Sequence, residues 1–385
     1  MSARTLLPRM PTRPTIEYQP ALDGVRAIAV VVVLLFHGGV PGFEGGYLGV
    51  SIFFTLSGYL ITSLLLREHG DTGTIDLQGF YSRRLRRLLP ASTVCLAGVA
   101  LLAAFTDVFD GVVELRAHLL GSLFQISNWV FLLGDGSYQD LLARTSGTVS
   151  PLEHFWSLSI EEQFYWVWPP FMVFLLTRVP RWRGRMVVIG STTALYAIAA
   201  PVIAAVWGAD AAYWATPARL SEILIGALLA VYLTGRRLPD RIAPVAPLAL
   251  VVLLACILTF PASGGPAYGG ALPAVGVVST ALVLGLQAPG PLQRVLAVGW
   301  LVWIGRVSYG LYLFHWPVFV VLDADRVGVS GPGLFAIRLA VTSVITVASY
   351  ELIEQPVRTG RRVAPKVTFS VAAASTAVVL AIVMV

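Results

Sequence analysis

The chain has 385 residues, of which 56% are hydrophobic and only 12% charged, where a soluble domain carries about a quarter. That balance excludes a soluble globular protein and requires a body embedded in a bilayer. The net charge of +6 does not point to nucleic acid, because the arginines sit at the ends of apolar runs and not along one soluble face.

Residues 1–20 carry Arg4, Arg9 and Arg13 but no apolar core, and the first apolar run lacks a small-residue cleavage site. No removable signal peptide is expected, and the segment reads as a cytoplasmic tail. The only cysteines, Cys95 and Cys256, fall inside apolar runs. Neither a disulfide framework nor a metal site is indicated.

Apolar runs of about 20 residues, the length of a transmembrane helix, recur at 21–40, 47–67, 88–106, 114–133, 156–177, 185–207, 217–235, 243–261, 268–287, 300–322, 333–354 and 367–385. Arginine clusters decide which of them cross, since cytoplasmic loops carry the excess of Lys and Arg. One cluster is Arg83, Arg84, Arg86 and Arg87; the next is Arg178, Arg181, Arg183 and Arg185. Loops on one side are separated by an even number of crossings, yet three runs lie between these clusters. The run 114–133, which holds Glu114, Arg116, His118, Gln125 and Asn128, is the costliest to expose to lipid. It is expected to be re-entrant or interfacial.

With that run removed, Arg236, Arg237, Arg241, Arg294, Arg358, Arg361, Arg362 and Lys366 all fall on the cytoplasmic side. The expected fold is an all-α polytopic membrane protein of about eleven transmembrane helices plus one re-entrant or interfacial segment. Its parts are a tail (1–20), a membrane domain (21–358), and a cytoplasmic loop with a final helix (359–385) that leaves the C-terminus outside. The run ending at Val385 lacks a charged flank, which leaves open a continuation of the natural chain.

Intramembrane polar residues are functional candidates by default. In the first run, Arg26 and His37 are spaced so that they return to nearly one helix face, about 16 Å apart along the axis. Arg26 either faces a cavity or snorkels and pairs with Asp23; His37, in the outer half, has no topological task.

The stretch HFWSLSIEEQFYWVWPP places Glu161 and Glu162 inside an apolar run. Consecutive helical residues point about 100° apart, so one glutamate can face a cavity while the other meets a neighbouring helix. Glu161 shares its face with Tyr165 and is the chosen working residue; a structural hydrogen bond to another helix is the alternative. In SYGLYLFHWPV, Tyr312 and His315 share a face, either for chemistry or for packing between helices. Arg83, Arg84, Arg86 and Arg87, introduced by Phe80 and Tyr81, serve as a positive-inside anchor or as a phosphate clamp.

A nucleophile elbow, a Walker loop and an HExxH zinc helix are all missing from the sequence, which removes hydrolase, ATPase and metalloprotease readings. Taken together, the polar segments resemble the acyltransferase-3 family, the membrane-bound O-acyltransferases of the bacterial cell envelope. The resemblance runs from Leu22 to about Arg358. It rests on Leu22, Asp23, Gly24, Arg26 and His37, on GVSIFFTLSGYLITSLLL, and on the RRLRRLLPA, WSLSIEEQFY, YLFHWPV and IEQPVR runs in order. Ser51 stands where many members carry Asp.

The resemblance implies transfer of an acyl group, acetyl in the usual case, from cytoplasmic acyl-CoA to a hydroxyl of an envelope glycan or lipid-linked glycan. The protein would lie in the bacterial cytoplasmic membrane. Arg83, Arg84, Arg86 and Arg87 would hold the CoA phosphates and Arg26 would seat the donor. His37 would be the catalytic base or acyl carrier, with Glu161 orienting it and Tyr165, Tyr312 and His315 in support. No cofactor is bound permanently. In some relatives an SGNH-type domain follows the last helix outside the membrane, which makes such a domain a possible fused or separate partner. The competing reading is a transporter or flippase of a lipid-linked glycan that uses the same residues as a proton relay.

Overall fold

The computed structural model describes residues 18–134, 148–236, 238–359 and 365–383. Arg4, Arg9 and Arg13 of the tail, Arg237, Arg361, Arg362 and Val385 lie outside the described residues. Every regular element among the described residues is helical. In chain order they are α1 (Pro20–His37), α2 (Leu48–Thr72), α3 (Leu77–Phe105), α4 (Leu115–Leu123), α5 (Ser127–Leu133), α6 (Phe155–Arg178), α7 (Trp182–Trp207), α8 (Ala209–Trp214) and α9 (Thr216–Leu233). There follow α10 (Val245–Thr259), α11 (Leu272–Gly285), α12 (Pro291–Leu296), α13 (Gly299–Val321), α14 (Ala324–Val327), α15 (Gly331–Ser349), α16 (Gln355–Thr359) and α17 (Pro365–Val383).

Among the described residues, 9 helical segments are long and apolar enough to cross a bilayer. Two further helices, α6 with 24 residues and α13 with 23, reach about 35 Å, more than the roughly 30 Å hydrocarbon core. Their apolarity is diluted by the residues that the sequence singles out: Glu161 and Glu162 in α6, and Tyr309, Tyr312 and His315 in α13. The protein is an all-α polytopic membrane protein, and the expected count of crossings takes in both of these helices.

The run at 114–133 is broken into α4 and α5, of 9 and 7 residues, each too short to span. The break falls at Gln125, whose φ of 58° lies in the left-handed region that side chains disfavour. Gln163 of α6 holds the elbow open. Its Nε2 donates to the Gln125 carbonyl and to Asn128 Oδ1, both at 2.9 Å. Its Oε1 accepts from the Thr216 hydroxyl at 2.6 Å.

The third helix begins earlier than its apolar run suggests. Asp76 caps it by accepting from the Gly79 amide at 2.9 Å, and the 29 residues of α3 extend about 44 Å. The first turns therefore overhang the hydrocarbon, and the arginines expected ahead of the helix are helical. Apolarity gives no signal for such an overhang.

Small residues let the helices approach backbone to backbone. A Cβ at Gly305 of α13 would run into the Asp23 carbonyl of α1, one at Gly58 of α2 into the Ile223 carbonyl of α9, and one at Gly226 into the Thr55 carbonyl. The contact of Asp23 with Gly305 and that of His37 with His315 fall in the same order along both helices. Helices α1 and α13 are thus parallel, and this pairing builds the site.

Candidate active site

A cavity of about 420 Å³ lies between α1, α2, α3, α6, α13 and α17, with the elbow between α4 and α5 closing one side. One end of it is cationic. Arg26, Arg84 and Arg87 line the wall, and the charges around Arg87 include Arg26, Arg84 and Arg358. Arg84 is bound by Glu162, with Nη2 to Oε1 at 2.7 Å and Nε to Oε2 at 3.3 Å. Its guanidinium lies 3.1 Å from the centre of the Tyr165 ring. Arg26 approaches Asp23 at 3.8 Å, so it makes the expected local pair and faces the cavity as well. Arg87 is exposed and forms no ion pair within 4.0 Å among the described residues; Glu354 is a neighbouring carboxylate.

The expected clamp of four arginines is thus only half assembled. Arg83 turns to Glu68 at 3.5 Å on the exposed face of α3, and neither Arg83 nor Arg86 lines the cavity. Arg84 and Arg87 are one turn apart, whereas Arg86 lies about 200° around the helix from Arg84. Arg26 of α1 joins Arg84 and Arg87 in the wall instead, and Arg358 of α16 is a further charge near Arg87 outside the lining.

Glu161 and Glu162 both line the cavity. Glu161 accepts a hydrogen bond from the Ser57 hydroxyl and a long one, 3.5 Å, from Tyr165. The expected face shared by Glu161 and Tyr165 is present. The expected bond between Glu161 and His37 is not, since each of the two is engaged elsewhere.

The partner of His37 is His315. Nδ1 of His37 lies 2.8 Å from Nε2 of His315, and the rings stack at 5.0 Å and 15°. Nδ1 of His315 lies 2.6 Å from the Tyr312 carbonyl. A carbonyl can only accept, so in the neutral ring Nδ1 of His315 carries the proton and Nε2 is an acceptor. His37 then donates from Nδ1, which leaves its Nε2 with a free lone pair. That is the tautomer a general base needs.

Tyr312 joins the cavity to the histidines. Its ring lies 5.4 Å from that of His315, while its hydroxyl pairs with Ser157 at 2.6 Å, and both Tyr312 and Ser157 belong to the cavity wall. His315 is fully buried and His37 only partly so. His37 sits at the C-terminus of α1, beside the exposed turn at Gly39.

Three features escape the sequence reading. His154, at the start of α6, donates from Nε2 to the Leu313 carbonyl at 2.8 Å and packs 5.5 Å from the His315 ring. Arg358 is read there only as a topological charge, although it ends the IEQPVR run. The third feature is the ion pair of Arg219 and Glu222 at 2.6 Å, with side chains 1% and 0% exposed. Arg219 also reaches Ser51 at 3.4 Å and lies over the rings of Phe54, Trp156 and Tyr213. Its signal was present: two opposite charges three residues apart inside an apolar run.

An arginine-lined cavity inside a helical membrane body, with a histidine pair packed behind its Tyr312 wall, defines the class of protein as a polytopic membrane protein with a built polar site. The chain belongs to the acyltransferase-3 family, whose acyltransferase domain model matches residues 19–350. It is 34% identical over 357 residues to YrhL of Bacillus subtilis, named a putative peptidoglycan O-acetyltransferase, covering 89% of this chain and 55% of that protein. It is 32% identical over 367 residues to the peptidoglycan O-acetyltransferase OatA of Listeria monocytogenes, covering 90% of this chain and 57% of that one. The chain thus spans a little over half the length of these relatives. No solved structure matches it significantly.

Proposed function

We propose that this protein transfers an acyl group, acetyl among them, from acyl-CoA to a hydroxyl of an envelope glycan, peptidoglycan being the first acceptor to test. The observation that carries the reading is the hydrogen bond from His37 to His315. It leaves a free imidazole lone pair on a ring that reaches, through His315, the Tyr312 wall of a cavity whose other end is lined by Arg26, Arg84 and Arg87. Guanidinium groups suit the phosphates of CoA, since they bind phosphate oxygens bidentately.

The chemistry balances without a cofactor. The acceptor oxygen attacks the thioester carbonyl as its proton passes to His37 Nε2, the carbon–sulfur bond breaks, and CoA leaves as a thiolate that is then protonated. His315 holds the His37 ring in the productive tautomer, as a positioning residue. Glu161 and Tyr312 line the cavity, and the Tyr312 ring stands between it and His315. The phosphates mark the cytoplasmic side, so the N-terminus is cytoplasmic, and eleven crossings put the C-terminus outside. The greater length of the relatives is consistent with an extracytoplasmic partner domain of the SGNH type.

The test follows free CoA released from acetyl-CoA by purified protein in the presence of a peptidoglycan fraction, for wild type, His37→Ala and Arg87→Ala. Acceptor-dependent release that His37→Ala abolishes, with the variant still folded, supports the proposal. Equal release by wild type and His37→Ala removes His37 from the chemistry, and absence of CoA binding favours transport of a lipid-linked glycan.

A further inference from the structure

Beside His37 lies an aromatic ring that donor binding does not use. The Trp316 indole centre is 4.6 Å from the His37 ring and 6.4 Å from that of His315, and Trp316 takes no part in the wall of the donor cavity. Its edge is pinned, since Nε1 donates to the Ser150 carbonyl at 2.8 Å. The ring is neither sealed nor laid bare: Trp316 and His37 are both partly buried, and the turn that follows His37 at Gly39 is exposed. Among the described residues Nε2 of His37 has no partner and is not buried. A fixed indole and an open imidazole nitrogen thus share one small patch, at the opposite end of α1 from Arg26.

Tryptophan near the end of a spanning helix is ordinarily a membrane anchor, with its ring at the level of the headgroups. Trp207 at the end of α7 fits that description, being 68% exposed. Trp316 does not, because its N–H is committed to the protein and its ring packs on two histidines. An indole held in this way loses little freedom when a ligand lies on it. A broad apolar ring beside a polar base recognises a molecule with an apolar face and hydroxyls on its rim. A pyranose has that form, with C–H groups on its face and hydroxyls at its edge. A phosphate or a fatty chain matches only half of the patch.

Resting on the acyl-transfer reading above, we infer that Trp316 is the platform for a sugar ring of the acceptor glycan, and that it presents a hydroxyl of that ring to Nε2 of His37. Donor and acceptor then bind toward opposite ends of α1, the CoA phosphates at Arg26, Arg84 and Arg87 and the sugar at Trp316, with Tyr312 between them. Trp316 binds and orients; it takes no proton and leaves the chemistry at the thioester unchanged.

The experiment uses the protein in lipid nanodiscs with acetyl-CoA as donor and soluble disaccharide-peptide fragments of peptidoglycan as acceptor, for wild type, Trp316→Leu and Trp316→Phe. Initial release of free CoA gives KM for the fragment and for acetyl-CoA, and calorimetric titration gives fragment binding without donor. Trp316→Leu is expected to raise KM for the fragment about tenfold or more, the scale of a truncated tryptophan anchor, while KM for acetyl-CoA moves by less than about twofold. Trp316→Phe, which keeps an aromatic face without the bond to Ser150, recovers part of the loss. A leucine variant whose two KM values rise together, or whose fragment KM is that of wild type, overturns the inference, as does a phenylalanine variant no better than leucine. Where the leucine variant melts early, wild type against Trp316→Phe decides, and equal fragment affinity overturns the inference. Fragment binding that depends on Trp316 with no CoA release from wild type removes the acyl-CoA reading and leaves the sugar platform standing. Neither binding nor release removes both.

Discussion

Nδ1 of His37 and Nε2 of His315 lie 2.8 Å apart although 278 positions separate them in the chain. The pair depends on α1 and α13 running parallel and touching at Gly305. It gives His37 a fixed tautomer through the Tyr312 carbonyl, 2.6 Å from the other nitrogen of His315. The carboxylate expected in this position, Glu161, is instead committed to Ser57.

The first expectation concerns this pair. His37→Ala lowers kcat by on the order of 10²–10⁴-fold, the usual contribution of a general base. His315→Ala lowers kcat with little change in KM for acyl-CoA, and His315→Gln, whose side-chain carbonyl can accept from Nδ1, recovers part of the loss. Equal activity in the Ala and Gln variants would show that His315 fills space and does not orient His37.

The arginines should separate by position. Arg87→Ala, which removes an exposed cation of the cavity wall, raises KM for acyl-CoA about tenfold or more, as expected for a charge-assisted hydrogen bond. Arg83→Ala, which loses a half-exposed pair with Glu68, changes it little. Steady-state kinetics at two salt concentrations checks both, with the Arg87 effect shrinking as salt rises.

The buried pair of Arg219 and Glu222 predicts a stability effect without a chemical one. Glu222→Ala strands an arginine that is 1% exposed, at a penalty of about 3–5 kcal/mol. Arg219 Nη2 already lies 3.4 Å from the Ser51 hydroxyl. Adding Ser51→Asp to Glu222→Ala therefore restores a counter-ion and part of the lost melting temperature in detergent. A double variant no more stable than Glu222→Ala would refute the exchange.

The contact of α2 with α9 should tolerate no side chain at its tightest points. Gly226→Val puts a Cβ into the Thr55 carbonyl and is expected to destabilise by about 1–3 kcal/mol. Gly98→Val, where a Cβ meets nothing within 4 Å, leaves the melting temperature nearly unchanged. Thermal unfolding of the two variants side by side reads the difference.

The break between α4 and α5 is likewise open to test. Gln163→Ala removes the donors to Gln125 and Asn128 and the acceptor for Thr216. Buried groups left without partners cost about 1–3 kcal/mol each, so protease sensitivity near Gln125 should rise in the variant.

By itself the sequence determined the membrane body, the helical segments and the failure of 114–133 to span, because burial in lipid requires long apolar runs and penalises charge locally. It also singled out Arg26, His37, Glu161, Tyr312 and His315, since polar groups in apolar runs stand out without a structure. Pairings between helices were decided by the tertiary structure alone. Glu162 meets Arg84, Glu161 meets Ser57 and His37 meets His315, through contacts that depend on helix rotation and on glycines admitting close approach. A sequence fixes which face of a helix a residue occupies; which neighbour that face meets is set only when the bundle packs.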